Sequence, residues 1–320
     1  MSDLYIPVPT RVILPHTKAN FVTYLKQDDR YVLYSVSGEQ FSPEHQLRLE
    51  LQDITTLYVN AEEEHELNAY VEKHIARVLS DGSIPIHARA EAWTRSAGSV
   101  ARDLFEKKLP PSILKQQYDR FEKFITESAS IFKSPEGLRE LSKLMSDGYD
   151  IYHHGLGTTV LTASVLLTFD GGEELLGECG AGAMLHDYGK LKLDPELLKI
   201  DPDLMKYGEK QKWDTHPVLG VQACAAIPLP PEGIHCVLFH HEREDGKGFP
   251  GKLKGDDVPF YARIVSLCDY YDRLTRKQHY RTAYTPFEAL KTIRDDKGFA
   301  NRDAFMRLVN VLSDANIAVL

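Results

Sequence analysis

Thirteen histidines occur in the 320 residues, eight of them after residue 150, and several stand next to acids or to one another. His186 is followed by Asp187, His240 by His241, and His216 by Pro217. Imidazole suits a transition metal, and a carboxylate has two oxygens with which to bridge two ions. The pair His186-Asp187 ends an apolar run, Ala183-Met184-Leu185, and Gly189 lets the chain turn away just beyond it. Alone, such a pair reads better as a hydrogen-bonded helix end. Its company changes that reading. His154 stands on an earlier helix, His216 opens a later one, and His240-His241 closes another. Asp269 lies within the apolar run 262–274, where an unpaired carboxylate is expensive to bury. Vicinal histidines rarely serve packing, because two polar rings must both find partners. Metal ligation accounts for His154, His186, Asp187, His216, His240, His241 and Asp269 with one cause.

Helices must carry these residues. From Ser134-Pro135-Glu136, which reads as a helix start with Ser134 as N-cap, nearly everything to the C-terminus has helical character. Two loops interrupt it, at 191–213 and 242–258. The first part differs. Short β-rich runs at 11–14, 20–25, 30–35 and 55–59 alternate with polar turns, and an amphipathic helix follows over 62–79. Residues 80–85 read as a linker. The fold expected is mainly α: a small α/β N-terminal domain with a helical linker over 1–125, then an all-helical bundle over 126–320. The first domain holds no cluster of catalytic residue types, which leaves sensing, docking or dimerisation as its role.

Composition narrows the function. With 42% hydrophobic and 27% charged residues, the chain is expected to be soluble. No run approaches the roughly 18 apolar residues of a membrane span, and the N-terminus does not read as a signal peptide. A net charge of −9 argues against a general nucleic-acid binder. It does not exclude a phosphorylated substrate, since bound cations reverse the local field. The four cysteines are scattered without CxxC pairing, as buried thiols of a cytoplasmic protein would be.

The order His154; His186-Asp187-Tyr188-Gly189-Lys190; His216-Pro217-Val218-Leu219-Gly220; His240-His241-Glu242-Arg243-Glu244-Asp245-Gly246-Lys247-Gly248-Phe249-Pro250; Asp269 closely resembles the HD-GYP family. This is the branch of the HD-domain phosphohydrolases that hydrolyses cyclic di-GMP. The resemblance covers about residues 130–320. It implies a helical bundle holding two divalent transition metals, iron first and manganese second. His154, His186, Asp187 and Asp269 would hold one ion, and Asp187 would bridge to another held by His216, His240 and His241. It also implies a third-metal role for Asp150, one turn before His154. The activity implied is hydrolysis of cyclic di-GMP, to the linear dinucleotide or GMP, by a metal-bridging hydroxide. Asp187 and Lys190 would be catalytic, with Lys190 also reaching a phosphate oxygen or the leaving oxygen. Arg281, Gln278, Phe249 and Asp272 are the other residues assigned to the substrate.

Three positions depart from the family pattern. Phe249 replaces the signature tyrosine and loses its hydroxyl. Gln278 stands where an arginine is usual, and Arg273 where a small residue is usual. Loss of a buried charge-assisted contact is worth roughly 1.5–3 kcal/mol. Two alternatives therefore stand beside cyclic di-GMP hydrolysis. One is a weak or inactive protein that binds the dinucleotide or a partner and signals. The other is an HD phosphohydrolase for another nucleotide. The N-terminal domain and the loop 242–250 are the surfaces expected to meet protein partners.

Overall fold

Apolar residues alternate along β6 (Thr56–Asn60), so that Leu57 and Val59 point inward while their neighbours stay half-exposed. Around it the computed structural model, which describes residues 4–104, 110–145 and 151–318, builds an antiparallel sheet. The other strands are β1 (Tyr5–Pro9), β3 (Thr23–Gln27) and β4 (Arg30–Ser35), in the order β1-β6-β3-β4. A short pair, β2 (Thr17–Lys18) with β5 (Gln40–Phe41), stands apart from this sheet. The β-rich reading of 11–14 is corrected: residues 10–12 form a turn of 3-10 helix, and the strand precedes it. Pro7 and Pro9 conceal that strand. They are tolerated because β1 is an edge, where one row of N–H groups has no ladder to join. Helix α1 (Pro43–Leu51) is capped by Ser42, whose side chain accepts from the His45 amide. The helix expected over 62–79 divides at His74 into α2 (Glu64–Lys73) and α3 (Ile75–Ser80), and α4 (Ile86–Leu104) follows. The strands, α1 to α3 and most of α4 belong to the first of two compact units, Met1–Ser99 and Val100–Leu320.

The second unit is helical among its described residues. It comprises α5 (Pro111–Glu127), α6 (Ala129–Phe132), α7 (Pro135–Met145), α8 (Ile151–Leu166), α9 (Leu176–Leu185), α10 (Tyr207–Trp213), α11 (His216–Ala223), α12 (Pro231–Phe239), α13 (Phe260–Thr275), α14 (Pro286–Asp295) and α15 (Arg302–Asp314). Ser134 accepts from the Gly137 amide at 3.0 Å, which starts α7 as its sequence implies. Helices α8 and α9 are apolar on nearly every side, the pattern of helices enclosed by others. They pack on one another and on α13, and α9 also packs on α12. Leu161, Val165, Cys179, Cys236 and Leu267 share this core. All four cysteines are buried and free. The loop expected over 191–213 contains α10, whose polar surface gives little helical periodicity. No helix of the described residues is long and apolar enough to cross a membrane.

Candidate metal centre

Helix ends bring the polar residues to one place. His154 lies in the first turn of α8, His186 follows the last residue of α9, and His216 is the first residue of α11. His240 follows α12, and Asp269 sits midway along α13. After His186 the chain tightens into a 3-10 turn, Tyr188–Lys192, that rests against α11. Gly189 is required for this approach: a Cβ there would stand 1.9 Å from the carbonyl oxygen of His216. The same holds at Gly157 on α8, where a Cβ would meet Asp272 Oδ1 at 2.1 Å.

Two groups of ligand atoms result, each with its atoms within 4.8 Å of one another: His154, His186 and Asp269, and Asp187, His216, His240 and His241. Asp187 faces both. Its Oδ2 is 3.6 Å from His154 Nε2 and 3.5 Å from His186 Nε2, and its Oδ1 is 3.4 Å from His216 Nε2 and 3.6 Å from His240 Nε2. Lys190 Nζ donates to Asp187 Oδ2 at 2.5 Å and lies 4.6 Å above the Trp213 ring. Asp150 lies outside the described residues.

The backbone sets the imidazole tautomers. Nδ1 of His186, His216 and His240 donates to the carbonyls of Ala183, Trp213 and Val237 at 2.6, 2.8 and 2.8 Å. A carbonyl only accepts, so each ring keeps a proton on Nδ1 and turns its Nε2 into the centre. His154 does the same with the Asp272 carboxylate, 2.7 Å from its Nδ1. In the second group the lone pairs then oppose one another, Nε2 of His216 and His240 being 3.2 Å apart. In the first group Nε2 of His154 and His186 are also 3.2 Å apart, and His154 Nε2 lies 3.0 Å from Asp269 Oδ1.

Protonation does not relieve the second group. Burial lowers His216 to about 4 against the pull of Asp187, and it pushes His240 down and His241 well down. In the first group burial also disfavours charge, but the carboxylates of Asp187 and Asp269 outweigh it and raise His186 to about 10. Asp187 and Asp269 resist their own burial, the one through Lys190 and His186 and the other through His154 and His186, and both stay ionised. Asp187 Oδ1 and His241 Nε2 are buried without any hydrogen-bond partner. Facing acceptors and two orphaned atoms are the state that divalent cations relieve, and the nitrogen-rich donor set fits a transition metal.

Asp272, assigned to the substrate from the sequence, stands behind the candidate ligands. It accepts from His154 Nδ1 and, with both oxygens, from the Arg276 guanidinium, which also donates to the Met145 carbonyl at 2.8 Å. Arg276 does not stand out in the sequence; its one signal is the spacing of four from Asp272 in a helix. Beside the second group opens a cleft of about 650 Å3 whose lining includes His241, Phe249, Lys210, Arg273 and Arg281. Phe249 stacks on His241 at 4.6 Å between centroids, and Lys210 Nζ lies 5.1 Å over the Phe249 ring. Gln278 and Arg281 are turned to the backbone: Gln278 Nε2 donates to the Arg273 carbonyl at 3.3 Å, and Arg281 donates to the carbonyls of Arg273, Leu274 and Thr282.

Residues 156–303 match the family model of the HD domain. Over 190 residues the chain is 26% identical to a cyclic di-GMP phosphodiesterase of Pseudomonas aeruginosa, covering 58% of this chain and 45% of that one. Over 118 residues it is 32% identical to the cyclic di-GMP phosphodiesterase response regulator RpfG of Xanthomonas campestris, covering 36% and 31%. A 3'3'-cGAMP-specific phosphodiesterase of Vibrio cholerae is 29% identical over 119 residues, covering 36% and 22%. The chain thus spans less than half the length of each of these relatives. The solved structure of Bd1817, a HDG"Y"P protein from Bdellovibrio bacteriovorus, shares the fold with a TM-score of 0.64 at 23% identity, covering 97% of this chain and 99% of that one. Residues 156–303, within the C-terminal unit, thus carry an HD domain.

Proposed function

We propose that the C-terminal unit is a metal-dependent phosphodiesterase that hydrolyses cyclic di-GMP to the linear dinucleotide or GMP. The observation that carries this reading is Asp187, whose two oxygens face two separate ligand groups beside a cleft wide enough for a nucleotide. His154, His186 and Asp269 on one side and His216, His240 and His241 on the other, with Asp187 between them, would hold iron or manganese, which would supply an activated water and offset the charge of the phosphodiester. The remaining work falls to the protein. Ala183, Trp213 and Val237 hold the histidine rings through their carbonyls, and Asp272 holds His154. Lys190 keeps an ammonium beside Asp187, ready for a non-bridging oxygen or the leaving oxygen. Water gives its hydroxyl to phosphorus, the bond from phosphorus to the ribose oxygen breaks, and the proton lost by the water ends on that oxygen. Phe249 presents a ring at the cleft on which a base can stack.

The test is anaerobic loading of the full chain with iron or manganese, metal counting, and assay against cyclic di-GMP, 3'3'-cGAMP and a panel of phosphodiesters. The reading expects turnover of cyclic di-GMP, abolished in Asp187→Ala without loss of helical circular dichroism. Two bound ions with no turnover of any substrate contradict it. A second reading, hydrolysis of another cyclic dinucleotide such as 3'3'-cGAMP, is favoured by one observation. Gln278 and Arg281, assigned to the guanine nucleotide by the family resemblance, have side chains engaged with backbone carbonyls.

A further inference from the structure

Three arginines line the cleft beside the metal centre: Arg243, Arg273 and Arg281. Two are occupied. Arg243 grips Asp296 with two donors, at 2.8 and 2.9 Å, and reaches Asp245 at 3.1 Å. Arg281 directs its donors to the carbonyls at the end of α13. Arg273 differs. Its guanidinium lies 5.0 Å over the ring of Tyr270, and among the described residues it makes no ion pair and no side-chain hydrogen bond. It is half-buried and stands one helical turn after Asp269 on α13, at the boundary between ligand group and cleft. Its backbone is fixed from the other side, since Arg281 and Gln278 both donate to the Arg273 carbonyl. A half-buried guanidinium with five unused donors is held ready for an anion, and its planar fork matches two oxygens of one phosphate.

We infer that Arg273 grips the non-bridging oxygens of a substrate phosphate in this cleft, supplying the cationic contact that Gln278 cannot. The inference rests on reading the cleft as a cyclic dinucleotide site. It differs from the metal chemistry in what it governs. Lys190 sits at Asp187, whereas Arg273 sits on the cleft wall and acts through binding. The carboxylates of Asp269 and Asp187 favour its charged form against the burial that opposes it, so the cation is retained in the half-buried position.

The experiment is calorimetric binding of cyclic di-GMP to the metal-loaded full chain, as wild type, Arg273→Ala and Arg273→Lys, at several salt concentrations. Alongside it, kcat and KM are measured. Arg273→Ala is expected to weaken binding by about ten- to a hundredfold, the worth of a charge-assisted hydrogen bond. It is also expected to reduce the salt dependence of Kd and to raise KM more than it lowers kcat. Arg273→Lys keeps the charge without the fork and is expected to fall between the two. An unchanged Kd in Arg273→Ala overturns the inference. So does a weaker Kd with unchanged salt dependence, which marks a contact to a base, and so does a wild type that fails to bind. Binding without turnover in the wild type removes the phosphodiesterase reading and leaves the comparison among variants as the test of Arg273.

Discussion

At the scale of single residues, the partners behind the candidate ligands decide how well a metal centre would be held. Asp272 orients His154 through Nδ1 and is itself held by the buried Arg276. Asp272→Asn keeps the size and loses the charge. It is expected to weaken metal affinity about 10–100-fold, the usual consequence of losing a partner behind a ligand. Competition with a chelator of known affinity reads this directly, and an unchanged affinity refutes the assignment. Asp272→Ala goes further by leaving the Arg276 guanidinium buried and unpaired. A loss of about 3–5 kcal/mol is expected, measured by denaturant unfolding. The seven candidate ligands were legible in the sequence because histidine and aspartate at helix ends and inside apolar runs are costly to bury without a shared cation. Arg276 was not, since an arginine four residues after an acid is usually a solvated pair. Only the packing of α7 and α8 against one another and of α8 against α13 makes that pair interior. The direction of Arg273 was equally hidden, because helical spacing gives a face but not which of three arginines is engaged elsewhere.

At the scale of elements, close backbone approach and one buried acid shape the site. Gly189 presses the turn after Asp187 onto the start of α11, where its Cβ would collide with backbone rather than with a flexible side chain. Gly189→Ala is expected to destabilise the protein by about 1–3 kcal/mol, as forced overpacking does, and to lower metal affinity because His216 must shift. Full metal binding and wild-type stability in that variant contradict the role given to the turn. The loop after His241 depends on Glu242, whose buried carboxylate accepts from the amides of Gly251 and Leu253 at 2.5 and 3.0 Å. Glu242→Ala leaves those amides without partners, each worth about 1–3 kcal/mol. It is expected to loosen the Phe249 wall and raise KM, with faster amide exchange confined to residues 243–253; a protection pattern identical to wild type counts against it. The sequence showed this loop as rich in glycine and charge but not its anchor, because the partners are main-chain groups that carry no sequence signal. The helical bundle was legible from periodicity and apolar runs. The edge strand β1 was not, because its two prolines read as breaks, and α10 was missed because its surface is polar.

At the scale of the whole molecule, the helices of the second unit converge on candidate ligands from five different places in the chain. Divalent cations bound there would join α8, α9, α11, α12 and α13. A ligand bound only by the folded state stabilises it by about 2.7 kcal/mol at a hundredfold excess over Kd. For a unit of this size that corresponds to about 5–10 °C in Tm. Chelation is therefore expected to lower Tm by that amount and manganese or iron to restore it, read by circular dichroism; a Tm indifferent to chelation is incompatible with ions bridging these helices. The central claim is that Asp187 joins two metal sites in one centre. Metal analysis of the anaerobically loaded full chain tests it most directly. About two ions per chain are predicted for the wild type and one or fewer for Asp187→Ala with its fold intact, whereas fewer than one ion per chain in the wild type would contradict the claim.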